Sequence, residues 1–120
     1  MIAGLGIDIA EISRVWQAFK RTPRFLEKVL TPAERKVWEQ YPTDSSRQKE
    51  FLAGRFSAKE AFTKALGTGI GPVGFQEITI LNDVRGRPYI QQQVYSGTVW
   101  ISISHTAAVV MTEVILEDQR

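Results

Sequence analysis

A chain of 120 residues, 43% of them hydrophobic, has the material for a single domain over residues 1–120 built on one core. Its 15 basic and 13 acidic residues leave a net charge of +2, too balanced for general nucleic-acid binding, and no apolar run approaches the roughly 20 residues of a membrane span. The absence of cysteine excludes disulfides, zinc-thiolate sites and thiol catalysis; with a start that lacks the pattern of a signal peptide, it points to the cytoplasm.

Residues 2–9 alternate as a strand, with Leu5, Ile7 and Ile9 on one face and Gly4, Gly6 and Asp8 on the other. The two glycines are expected to leave open space beside Asp8. Ile12, Val15, Trp16 and Phe19 follow the spacing of an amphipathic helix, with Arg14 and Arg21 opposite the stripe, and Pro23 stops or bends it. Thr31-Pro-Ala-Glu34 is a capping box with proline at the first helical position, so a second helix runs from there to near Tyr41-Pro42. A polar loop over 43–46 leads to the longest helix, near 47–66. Phe51, Ala58, Phe62 and Ala65 stack on one side of it, Leu52, Phe56 and Leu66 widen the arc, and Glu60 and Lys64 project away. The glycine-rich segment 67–74 ends it. Short strands follow around Ile78 and Ile80, over 88–90 after a turn, through Val99, Ile101 and Ile103, and over 108–116. His105 and Thr106 then lie at a tight connection. The order predicts an α+β fold: a small, mostly antiparallel sheet packed with a long helix and shorter N-terminal helices.

Several residues carry a chemical and a bland reading side by side. Asp8, after an apolar strand, either caps the next helix or ligates Mg²⁺, which takes one or two carboxylates with phosphate oxygens and water. Glu60 and Lys64 stand four apart with the acid first, as in a solvated ion pair, or they serve a metal and a phosphate. With Arg55 and Lys59 they give the long helix a charged set suited to a metal and a phosphorylated ligand. The turn after it lacks the order of a P-loop and reads as a helix cap, or as backbone N–H groups that a diphosphate approaches closely. His105 has no acidic companion nearby in sequence, and Ser102 and Ser104 lack a nucleophile-elbow frame, so a hydrolase triad is a poor reading. Arg14, Arg21, Arg24 and Phe25 form a basic patch with an aromatic anchor, a fit for an acidic protein helix.

Four motifs in order resemble one family over nearly the full length. They are Gly6-Ile-Asp-Ile-Ala-Glu-Ile12, the run from Phe51 to Ile70, Gly86-Arg-Pro88 and Ser102-Ile-Ser-His-Thr106. The family is the group I 4′-phosphopantetheinyl transferases, the short bacterial holo-[acyl-carrier-protein] synthases. The resemblance implies transfer of phosphopantetheine from coenzyme A to a serine of apo acyl carrier protein, with release of adenosine 3′,5′-bisphosphate, in fatty acid biosynthesis. It implies Mg²⁺ on Asp8 and Glu60, with Lys64 on the leaving phosphate. Arg55, Lys64, Gly67, Thr68, Gly69, His105 and Thr106 are implied to hold coenzyme A, and Arg14, Arg21, Arg24 and Phe25 to receive the carrier protein. The base is left open between Glu60 and a metal-bound water. It also implies a homotrimer with shared sites, Asp8 and His105 from one chain and Glu60 and Lys64 from the next. Two other readings stand beside it: a non-catalytic coenzyme A or nucleotide-binding module that docks an acidic protein, and a Mg²⁺-dependent pyrophosphatase. The second is disfavoured because such sites muster more carboxylates around two metals.

Overall fold

The computed structural model describes residues 1–119. In chain order it has β1 (Ile2–Glu11), α1 (Ile12–Arg21), α2 (Arg24–Val29), α3 (Pro32–Gln40), α4 (Ser46–Leu66), a 3-10 turn at Phe75–Glu77, β2 (Thr79–Asn82), β3 (Pro88–Gln91), β4 (Thr98–His105) and β5 (Val109–Glu117). The fold is α+β, as the order of elements predicts. Among the described residues the five strands pair only antiparallel, but they form two sheets, β1-β5-β4 and the hairpin β2-β3. Among the described residues no helix is long and apolar enough to cross a membrane.

Local chemistry sets the helix ends. Thr31 and Glu34 make the capping box at the start of α3. Ser45 Oγ accepts from Gln48 N to cap α4, which ends at Gly67 with φ 84°, a left-handed turn natural to glycine. The sequence reading stops a helix at Pro23 and misses α2. Pro23 has φ −57°, already helical, and it starts a second short helix that buries Leu26 and Val29.

Gly4 and Gly6 do not border open space, contrary to expectation. A Cβ at either would collide with the carbonyl oxygens of Ala65 and Ala61, so the glycines let the α4 backbone lie directly on β1. This close approach brings the α4 face of Ser57, Glu60 and Lys64 to Asp8. The opposite face of the sheet is the uncovered one. Leu5, Ile115 and Trp100 align across it, as do Ile7, Glu113 and Ser102, then Ile9, Met111 and Ser104. Leu5, Ile7, Ile9, Trp100 and Met111 are all exposed.

Lys59 does not face a ligand. It is fully buried, with Nζ 2.7 Å from Glu34 Oε1 and donating also to Val29 O and Phe75 O. Glu34 Oε1 accepts from Thr31 N, and Oε2 from Ile80 N. One buried ion pair thus ties α4 to the loop before α3, the 3-10 turn and β2, with most of its hydrogen-bonding capacity filled. Burial holds the Lys59 ammonium below its ordinary pKa, and Glu34 opposes that shift.

Candidate active site

Asp8 sits where β1, β5 and α4 meet. Its Oδ1 accepts from Lys64 Nζ at 2.9 Å, and its Oδ2 accepts from Ser57 Oγ at 2.7 Å. Glu60 is one turn from Lys64 on the same helix. Burial pushes the Glu60 carboxyl above its ordinary pKa, the negative charge of Asp8 adds to this, and Lys64 partly offsets it. A Glu60 carboxyl whose ionisation is opposed by burial and by Asp8, beside an Asp8 that already holds an ammonium, forms a site that gains from a cation. All the ligand atoms are hard oxygens, so the pair fits a divalent ion that also takes phosphate oxygens. Among the described residues no group of three or more His, Asp or Glu gathers for a metal, so this site offers two carboxylates and would leave the other positions to phosphate oxygens and water.

The division of residues expected from the resemblance is corrected here. Asp8, Glu60 and Lys64 converge within one chain, rather than being split between neighbours. His105 is the residue set apart. It lines a cavity of about 410 Å³ with Tyr41, Arg47, Glu50, Arg55 and Asn82, and neither Asp8, Glu60 nor Lys64 borders it. His105 Nε2 is 3.1 Å from Glu50 Oε1. Arg55 is buried, donates Nε–H to Ile80 O and also bonds Asn82 Oδ1, and packs 4.1 Å over the Phe51 ring. Burial lowers its pKa to about 10, against the pull of Glu34 and Tyr41, so it remains a cation at neutral pH. This second locus therefore offers two arginines, a histidine and aromatic faces.

The glycine turn is a helix cap in its backbone chemistry. The N–H groups of Gly67, Thr68 and Gly69 all turn back to Thr63 O. They are not the free donors that a diphosphate cradle requires, although the sides of Gly67 and Gly69 are open. Thr106 Oγ1 likewise accepts from Ala108 N and Val109 N and closes the β4–β5 turn.

Arg14, Arg21, Arg24 and Phe25 come together around two adjoining hollows. Ile9, Ala10, Arg14, Ala18, Phe25 and Phe56 line one of about 410 Å³. Ala18, Arg21, Arg24, Phe25 and Lys28 line the other, of about 330 Å³. The Phe25 and Phe56 rings lie 5.8 Å apart. The first hollow includes Ile9, the residue next to Asp8. Lys20, in the same basic stretch, is engaged with Asp44 at 2.9 Å.

Reading the sequence misses several members of these sites. Ser57 has a legible signal, since it stands three residues before Glu60 and seven before Lys64 on one helix face. Phe56 reads as core yet forms a wall of the docking hollow. Arg47, Glu50 and Asn82 have no pattern that marks them, because the cavity joins three separate stretches of chain.

The family model of the 4′-phosphopantetheinyl transferase superfamily matches residues 4–114, and the chain belongs to that superfamily. Within it, the chain stands with the holo-[acyl-carrier-protein] synthases, and it is an enzyme. The synthase of Streptococcus uberis is 52% identical over 120 residues, covering 100% of both chains. That of Latilactobacillus sakei is 54% identical over 117 residues, covering 98% of both. The crystal structure of a holo-(acyl-carrier-protein) synthase from Bacillus anthracis in complex with CoA (3′,5′-ADP) superposes with a TM-score of 0.91 at 42% identity, over 99% of both chains.

Proposed function

We propose that this chain transfers 4′-phosphopantetheine from coenzyme A to a serine of apo acyl carrier protein in the cytoplasm, for fatty acid biosynthesis. The products are holo carrier protein and adenosine 3′,5′-bisphosphate. The observation that carries this reading is the meeting of Asp8, Glu60 and Lys64 beside an aromatic-walled hollow that adjoins the basic one of Arg21, Arg24 and Lys28. Reaction centre and docking surface are neighbours along β1, so a protein that docks on Arg14, Arg21, Arg24 and Phe25 can deliver a side chain to Asp8.

Asp8 and Glu60 would hold Mg²⁺, which supplies charge neutralisation at the diphosphate and leaving group. The serine oxygen attacks the phosphorus that bears pantetheine, and the bond to the adenosine bisphosphate oxygen breaks. The base that takes the serine proton is either Glu60 or a water that the ion would hold. Lys64, half exposed, hydrogen-bonds the departing phosphate. Arg55, Arg47 and His105 suit the phosphate on the ribose of coenzyme A, and Tyr41 and Phe51 offer faces for its base. Open ground beside Gly67 and Gly69 gives the diphosphate room near Lys64.

A homotrimer joins the two loci. The uncovered face of β1-β5-β4, with Leu5, Ile7, Ile9, Trp100 and Met111, suits burial against other copies. One chain then supplies Asp8, Glu60 and Lys64, and its neighbour supplies Arg55, His105 and Thr106. Mass spectrometry of apo acyl carrier protein incubated with the enzyme, Mg²⁺ and coenzyme A tests the function. The reading expects a gain of one phosphopantetheine on the carrier protein. Coenzyme A binding with no mass gain would leave only the binding-module alternative.

A further inference from the structure

One hydroxyl group holds Asp8 from the buried side and a second backs it, and the transfer chemistry above makes no use of either. Ser57 Oγ donates to Asp8 Oδ2 at 2.7 Å, and Ser57 Oγ lies 2.9 Å from Thr112 Oγ1. Both residues are 0% exposed. A serine hydroxyl has one proton to give, and a carboxylate only accepts. Ser57 therefore commits its proton to Asp8, and Thr112 must be the donor to Ser57. The chain runs in one direction, from Thr112 on β5 through Ser57 on α4 to Asp8 on β1, where Asp8 and Thr112 are paired across the strands.

The two oxygens of Asp8 are thus held very differently. Oδ2 is bound by a side chain sealed between helix and sheet, with nowhere else to go. Oδ1 meets Lys64, whose side chain is 51% exposed and whose Nζ also donates to Ile7 O at 3.1 Å, so this partner stands at the solvent edge of the site.

We propose that Ser57, backed by Thr112, is a positioning residue for the metal: it fixes the rotation of the Asp8 carboxylate so that Oδ1 is presented to the incoming cation. This rests on the assignment of Asp8 as a metal ligand. Partners of this kind set ligand orientation, and their loss costs about 10–100-fold in metal affinity.

The test is Mn²⁺ binding followed by electron paramagnetic resonance with coenzyme A present, on the wild type, Ser57→Ala, Thr112→Val and Asp8→Asn. Circular dichroism checks each fold. Ser57→Ala should weaken Mn²⁺ binding about 10-fold or more. The Mg²⁺ concentration for half-maximal rate should rise by a similar factor, while the rate at saturating Mg²⁺ changes far less. Thr112→Val should weaken binding in the same sense but to a smaller extent, and Asp8→Asn should lose it. Wild-type affinity in Ser57→Ala, with binding lost in Asp8→Asn, overturns the positioning role and leaves the metal assignment standing. Wild-type affinity in Asp8→Asn overturns both. If Ser57→Ala fails to fold, the nearly isosteric Thr112→Val decides: weakened binding supports the role, and unchanged binding overturns it.

Discussion

Glu60 is the residue whose protonation is most informative. The folded chain raises its pKa above the ordinary 4.5, so the native state holds this proton more tightly than the unfolded chain does. The contribution of Glu60 to the stability of the metal-free protein therefore falls as pH rises from about 4.5 through the raised value. Glu60→Gln removes that loss. Its melting temperature, measured without metal, should gain on the wild type as pH rises through this window; a constant difference would contradict the assignment. In assays, Asp8→Asn and Glu60→Gln should each cost on the order of 100-fold or more in turnover while the fold survives. Near-wild-type turnover in either would remove that residue from the site. Lys59→Met tests the buried pair by urea unfolding. It should cost about 3–5 kcal/mol, because Glu34 keeps a buried charge without its cation. Lys59→Met with Glu34→Gln should recover part of that, since the buried charge is gone but the glutamine NH2 then faces one of the two backbone N–H groups that Glu34 accepts from. No loss in the single variant would show that the pair does not hold the fold.

At the scale of elements, the contact between α4 and β1 sets the geometry of the site. Gly6→Ala should push the helix off the strand, destabilise the fold by about 1–3 kcal/mol and reduce turnover beyond what stability explains. Full activity in a folded Gly6→Ala protein would show that this close approach does not matter. Much of this layer is legible in the sequence. The Thr31–Glu34 capping box, the long helix and the alternation around Asp8 all appear where their local chemistry puts them. Alternation identifies two faces of β1 but not which one is covered. Leu5, Ile7 and Ile9 look like the inward face, yet glycine's missing side chain is what admits α4 on the other side. Lys59 reads as a ligand group because its partner Glu34 lies 25 residues away. The turn at 67–69 looks like a donor cradle, and only the backbone shows its N–H groups spent on Thr63 O. Helix α2 is hidden because a proline that stops one helix starts another.

For the whole molecule, the proposal is that assembly completes what one chain leaves in two places. Ile7→Arg, on the uncovered sheet face, should yield a smaller species by light scattering and lose transfer activity; an active monomer would refute the shared site. Subunit mixing tests the division most directly, with phosphopantetheine transfer read by mass spectrometry of the carrier protein. Asp8→Ala and His105→Ala subunits, each nearly inactive alone, are exchanged in equal amounts. About a quarter of the wild-type rate should return, because one interface in four joins an intact Asp8, Glu60 and Lys64 to an intact His105. The control mixture, Asp8→Ala with Glu60→Ala, should stay inactive, since both lesions fall in the half-site that a single chain supplies. Rescue in the control, or none in the first mixture despite proven subunit exchange, would contradict a site divided between the Asp8 cluster of one chain and the His105 cavity of its neighbour.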